Sequence, residues 1–336
     1  MSNFRGGPVG AIAVGAALLG ALLSACGSGP STTAGNKCPL TDLSPPSGGV
    51  PARPALAVKV DNSPQARPQY GLAATDVVYE QPVEGGLTRL IAIYQCRDTG
   101  RIEPIRSARI ADPDIVRQFG AHPLFAYAGG IEPSVAAVRS SPLLDVGTDR
   151  APGAYHREST RAAPHNLTSS TDALYKAGRD HGASSTPPQP VFEFGPVPEG
   201  AQPAASVRIP YTASDVTWTW SSQEHAWLRS YAQGGAAGMG EGGQVRATNV
   251  VVMKVEERAS PYVEDATGAH QNLLTLTGTG PAQVFRNGSV INGTWSRSAL
   301  NQKTRYLNGS GQSIPLSPGA TWVELVPTTV AVSVGP

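Results

Sequence analysis

A chain of 336 residues with 26 Lys and Arg against 25 Asp and Glu carries a formal charge of +1. That balance excludes the basic face that nonspecific nucleic-acid binding requires, so no nucleic-acid partner is expected. A hydrophobic content of 40% supports packed cores. Arginine outnumbers lysine 21 to 5 beside abundant Ala, Gly and Pro, a bias that a GC-rich genome produces as readily as anion binding does.

The first element is a leader. Arg5 is the one charge before an apolar run from position 8 to 23, which closes in Leu23-Ser24-Ala25-Cys26, the pattern of a bacterial lipobox. The run is shorter than the roughly 18–20 residues of a spanning helix, which favours a lipoprotein signal peptide over a transmembrane anchor for residues 1–25. Cys26 is then expected to carry a diacylglyceryl thioether with fatty acyl chains such as palmitate, each buried CH₂ contributing about 0.8 kcal/mol to anchoring. The expected location is the extracytoplasmic face of the cell membrane, with the membrane as a partner through the lipid on Cys26.

Residues 26–53, rich in Ser, Thr, Gly and Pro, read as a disordered tether, because so few apolar side chains cannot offset ordering entropy. Removing the leader leaves about 310 residues, enough for two domains, and these are expected at 54–190 and 204–331. Cys38 and Cys96 share an oxidising compartment; either they pair, pinning the tether to the first domain, or Cys96 is a free buried thiol and Cys38 is exposed.

In the first domain, strands are predicted over 55–60, 76–80 and 87–95, the last two joined as a hairpin by Glu84-Gly85-Gly86. A fourth strand is expected over 104–109. Helices follow at 112–119, with Pro113 and two acids in the first turn, at 132–138, and at 171–177, capped by Ser169 or Ser170. A short buried strand lies between them at 124–128. Residues 183–204, dense in proline, mark the domain boundary. Beyond them the signal is strand: Val216, Trp218 and Trp220 alternate with Thr217 and Thr219, and apolar runs recur at 249–255, 273–277, 282–286, 289–291, 304–307 and 321–326. Asn287-Gly288, Asn292-Gly293 and Asn308-Gly309 read as turns between them. The fold class is α+β: a mixed α/β N-terminal domain followed by a mostly antiparallel β domain.

Candidate functional residues concentrate in the first domain. Arg67, Arg89, Arg106 and Arg109 offer guanidinium forks that match carboxylate or phosphate; either they converge on an anionic ligand, or they pair internally with Asp61, Glu80 or Glu84. Those three acids are also the candidates for acid/base chemistry or metal ligation. His165 and Asn166, in Pro164-His165-Asn166, either transfer protons or contact an anion, or shape the loop by hydrogen bonding. No Cys-x-x-Cys, His-Glu-x-x-His, Gly-x-Ser-x-Gly or P-loop pattern is present, so no metal site is predicted and the cofactor, if any, is unknown. Gly238, Gly240 and Gly243 satisfy Gly-x-Gly-x-x-Gly, but they precede a strand instead of opening a helix and read as a flexible loop. The tryptophans Trp218, Trp220, Trp227, Trp295 and Trp322 either pack the sheets or form a carbohydrate-stacking face.

The segments Asp61-Asn62, Ala66-Arg67-Pro68-Gln69, Gly71-Leu72, Asp76-Val77-Val78-Tyr79-Glu80, Glu84-Gly85-Gly86, Thr88-Arg89, Arg106-Ser107-Ala108-Arg109 and Pro164-His165-Asn166 resemble the YerB-like bacterial lipoproteins, a family built on domain of unknown function 3048. Asn249-Val250-Val251-Val252, Gly278-x-Gly280, Gly293-Thr294-Trp295 and Pro318-Gly319-x-Thr321-Trp322 are similar to that family's C-terminal domain. The resemblance implies the two-domain lipoprotein architecture and assigns no catalytic residue. A looser similarity, a strand ending in Asp and a strand followed by Pro-x-Arg, is to the LytR-Cps2A-Psr phosphotransferases, at the level of fold analogy. The sequence therefore points to a membrane-anchored envelope lipoprotein that binds an anionic envelope component or a protein partner. The alternatives are an envelope enzyme acting on phosphodiester or pyrophosphate bonds of lipid-linked glycan, and a structural member of an envelope complex.

Overall fold

Leu-Ala-Val-Lys-Val-Asp, buried at all six positions, forms β1 (Leu56–Asp61). A strand covered on both faces belongs inside a sheet, and the computed structural model, which describes Gly7 and residues 37–336, places it so. Cys26 and the predicted leader lie outside the described residues.

The chain continues through β2 (Val77–Pro82), β3 (Thr88–Tyr94), α1 (Asp112–Val116), β4 (Leu124–Ala126), α2 (Glu132–Arg139), β5 (Leu144–Asp145) and α3 (Thr171–Asp180). Gly85 and Gly86, both near φ +70°, make the turn between β2 and β3. Ser170 Oγ caps α3 by accepting from the Ala173 N–H. The later strands are β6 (Ser206–Tyr211), β7 (Ser214–Ser221), β8 (Ala226–Tyr231), β9 (Asn249–Val255), β10 (Glu257–Val263), β11 (His270–Leu274), β12 (Gly278–Arg286), β13 (Ser289–Arg297), β14 (Arg305–Leu307) and β15 (Thr321–Pro327).

One eleven-stranded sheet forms the centre, in the order β14-β13-β12-β9-β15-β2-β3-β1-β4-β5, with residues 202–203 added beside β13. It runs through both halves of the sequence, because β15 lies parallel between β9 and β2. A second sheet, built around β8-β7-β6, covers one face of the central sheet together with α3; Trp218, Trp227, Leu174 and Trp322 pack there. The opposite face packs against α1 and α2 through Ile115, Phe119 and Val138. Trp218, Trp227, Trp295 and Trp322 are buried and Trp220 is half-buried against the same core, so these tryptophans are packing residues and form no exposed stacking face. Cys38 and Cys96 form a disulfide with Cα atoms 5.9 Å apart. The overall composition is mostly strand with few helices, an α+β fold.

Several predicted elements differ. Residues 38–41 of the expected tether are packed into the body, with Cys38, Leu40 and Thr41 buried. Residues 104–109 do not form a fourth strand: β4 occupies the outer edge of Leu56–Val58, which leaves room for a single bridge from Ile105 to Val60. The apolar run 273–277 is split, because β11 ends at Leu274 as half of an isolated hairpin with β10, and β12 starts at Gly278. Asn292-Gly293 is no turn but lies mid-strand in β13; a Cβ on Gly293 would sit 2.1 Å from the Leu307 carbonyl oxygen, so the glycine permits close strand approach. The 234–243 loop folds onto the first half of the chain, with the Gly240 N–H donating to Gln69 O and Glu241 accepting from the Gly71 N–H.

Candidate functional site

The antiparallel register of β1 and β3 sets Asp61 opposite Arg89 at one end of the sheet. The β2–β3 turn supplies Glu84 to the same end, and the extended strip after cis-Pro104 supplies Arg106 and Arg109. The loop after cis-Pro164 brings His165 across a sequence distance of 104 residues to Asp61. Six of the predicted residues, Asp61, Glu84, Arg89, Arg106, Arg109 and His165, thus gather at one end of the central sheet.

Most of their charges are paired. Arg109, with 3% of its side chain exposed, donates from Nε to Glu84 Oε2 at 2.8 Å and meets Glu264 Oε1 at 2.8 Å. Arg89, 8% exposed, lies 3.6 Å from Glu84 and donates to Ser107 O at 3.2 Å. Burial, then the charge of Arg109, pulls the Arg89 guanidinium down to about 10. Beneath them Lys59 and Asp112 form a buried pair at 2.6 Å, and burial pulls the Lys59 ammonium down to about 8 against the pull of Asp112.

Arg106 differs. Its Nε lies 3.2 Å from Asp61 Oδ2 without hydrogen-bond alignment, its side chain is 27% exposed, and its two terminal nitrogens meet no partner among the described residues. The same Asp61 oxygen accepts from His165 Nδ1 at 2.8 Å, and the His165 side chain is 21% exposed. A carboxylate that takes Nδ1–H leaves Nε2 directed away from it, and Nε2 also has no partner among the described residues. Burial pushes the Asp61 carboxyl up, but the Ser63 N–H and the charges of Arg89 and Arg106 outweigh it and hold the group below the usual carboxylate range. Asp61 therefore stays ionised and orients both an arginine fork and an imidazole, an arrangement suited to a phosphate or carboxylate group.

The other predicted residues stand elsewhere. Arg67 donates to Asn62 O at 2.8 Å and Ser214 Oγ at 3.2 Å while its guanidinium covers the Tyr231 ring. Asn166 bonds Glu158 O, Arg161 O and Arg157, and so shapes the loop that carries His165. Glu80 is fully buried on the opposite face of the sheet, where Arg229 Nη2 reaches both its oxygens at 2.6 and 2.9 Å and Asn62 and Thr88 complete its shell. Its register partner on β15 is Glu324, which accepts from Trp218 Nε1 at 2.8 Å and from the Tyr211 hydroxyl at 3.1 Å. Burial, then the charge of Glu80, pushes the Glu324 carboxyl up to about 8. This core pair is closed to ligand, so Glu80 is no candidate for metal or acid/base work. A groove of about 470 Å³ opens beside Glu84, Tyr211, Thr212 and His270, but Asp61, Arg106 and His165 do not line it. Among the described residues no group of three or more His, Cys, Asp or Glu is placed to hold a metal ion.

Reading the sequence missed Arg229, Glu324, Glu264 and the Lys59–Asp112 pair. A charge inside an otherwise apolar strand, as in Thr321–Pro327 or Leu56–Asp61, was the available signal, since such charges are buried only with partners.

The described residues form a mostly-strand α+β fold whose central sheet holds buried ion pairs and carries the Arg106–His165 corner at one end. The chain belongs to the family described as protein of unknown function (DUF3048): its N-terminal domain matches residues 40–184 and its C-terminal domain residues 207–323. It is 28% identical over 312 residues to "Putative lipoprotein YerB" of Bacillus subtilis (strain 168), covering 91% of this chain and 90% of that protein. The crystal structure of the YerB protein from Bacillus subtilis superposes with a TM-score of 0.77 at 25% identity, covering 88% of this chain and 99% of that one. Among the described residues no helix is long and apolar enough to cross a membrane.

Proposed function

We propose that the protein is a lipoprotein held at the extracytoplasmic face of the membrane through Cys26, and that Arg106 and His165 bind an anionic group of an envelope component or partner protein. The observation that carries this reading is the open pair of Arg106 terminal nitrogens, with the His165 imidazole beside them held by the same Asp61 oxygen. The lipobox-like Leu23-Ser24-Ala25-Cys26 and the name of the Bacillus subtilis relative support the anchor. Charged hydrogen bonds to phosphate are each worth about 1.5–3 kcal/mol, so Arg106→Gln is expected to weaken phosphate or pyrophosphate binding about 10- to 100-fold. Thermal shift with phosphate, pyrophosphate and wall glycan fragments tests this. A shift in the wild type that Arg106→Gln loses, with its ligand-free melting temperature unchanged, supports the site; equal shifts in both proteins refute it.

A second reading, hydrolysis of a phosphodiester or pyrophosphate, draws on the carboxylate-oriented imidazole beside an arginine. Ser63 Oγ lies 3.4 Å from His165 Nδ1, the nitrogen that Asp61 already occupies, so Ser63 is not arranged as a nucleophile served by Nε2. Turnover of a chromogenic phosphodiester that His165→Gln abolishes would favour this reading over simple binding.

A further inference from the structure

The two ends of the central sheet have different neighbours. Cys38, near the start of the described body, is bonded to Cys96, two residues past the end of β3. Leu40 is fully buried beside it, and the Gly319 N–H donates to Thr41 O just before β15 begins. The chain therefore enters the body at the end where β1, β2 and β15 start and β3 finishes. Asp61 closes β1, and Arg89 stands near the start of β3, so the Arg106–His165 corner lies at the opposite end. Five strand steps separate Leu56 from Asp61, about 17 Å at 3.3–3.4 Å per residue, before the loops at each end add their depth.

From this polarity, and resting on the lipid-anchor and anion-site readings above, we infer that the arginine–histidine corner faces away from the protein's own bilayer and takes a phosphate- or carboxylate-bearing polymer presented from the wall side, not a headgroup of the membrane that anchors it. Residues 27–37 separate Cys26 from Cys38; fully extended, such a stretch reaches at most about 40 Å. The disulfide fixes the link's point of entry at the Cys96 end, so the far end of the sheet is the end that lies farther from the anchor.

The test uses the mature lipidated protein in vesicles of mixed anionic and zwitterionic lipid. Single cysteines are introduced at Asp98→Cys, near the Cys96 end, or Ala162→Cys, whose carbonyl accepts from the His165 N–H. Both positions are exposed, and labelling without reductant leaves Cys38 and Cys96 joined. Energy transfer to an acceptor on the lipid headgroups is expected to be at least twofold more efficient from position 98 than from position 162. Equal or reversed efficiencies overturn the polarity. In the same vesicles, soluble short-chain polyphosphate is expected to bind with the affinity it shows for the unanchored body, and Arg106→Gln to lower that affinity at least tenfold. Tight binding to the unanchored body that anchoring abolishes also overturns the polarity. Absence of polyphosphate binding in either form refutes the anion site itself, whatever the energy transfer reports.

Discussion

Glu324→Gln tests the electrostatics of the core. Glu324 is fully buried on β15 beside Glu80, and among the described residues Arg229 is the one cation that hydrogen-bonds into that pair. Its carboxyl is pushed up to about 8 by burial and by Glu80, from 4.5 in an unperturbed chain. Between those values the folded protein holds a proton that the unfolded chain releases, so stability falls as pH rises through the window. One such proton gives a slope approaching 1.4 kcal/mol per pH unit and a loss of about 3.5 kcal/mol from pH 5 to pH 8. Glutamine preserves an acceptor for Trp218 Nε1 and does not titrate. Urea unfolding of wild type and Glu324→Gln at pH 5, 6, 7 and 8, followed by tryptophan fluorescence, isolates this contribution as the difference between two curves. The variant is expected to gain on the wild type by about 3.5 kcal/mol across the range. Parallel curves would show that Glu324 is ionised in the folded protein.

Other consequences follow from the same packing. Opening the Cys38–Cys96 bridge, which spans 58 residues, removes a chain-entropy restraint worth about 4 kcal/mol, so reductant should lower the melting temperature by roughly 7 °C. Asp112→Ala strands the Lys59 ammonium in the core and should cost about 3–5 kcal/mol in urea unfolding, whereas the same substitution in the exposed Lys176–Asp180 pair should leave the unfolding curve unchanged. Gly293→Ala drives a Cβ into the Leu307 carbonyl and should destabilise by about 1–3 kcal/mol, with hydrogen exchange accelerated first in β14.

The sequence made the strand-rich body legible because its runs are continuous and bounded by turn residues; Asn249–Val255 and the β2–β3 hairpin are as their residues predict. It did not reveal that β15 returns to lie beside β2, since nothing local to Thr321–Pro327 encodes a partner some 240 residues away. Nor could spacing distinguish Asn287-Gly288, both with positive φ in a turn, from Asn292-Gly293 inside a strand. The arginines were visible as a cluster, but their fates depended on acids brought from afar: Glu264 reaches Arg109 from the β10–β11 connection, and His165 reaches Asp61 from a distant loop. Arg106 stands out only once those partners are placed.

His165 itself reports most directly on the anion site. In the ¹H–¹⁵N imidazole spectrum of the soluble body, titration with pyrophosphate is expected to shift the His165 resonances while those of exposed His122 and His270 stay in place, and Arg106→Gln is expected to suppress the shift. An unmoved His165, or equal movement of all three histidines, would contradict an anion site at the Arg106–His165 corner.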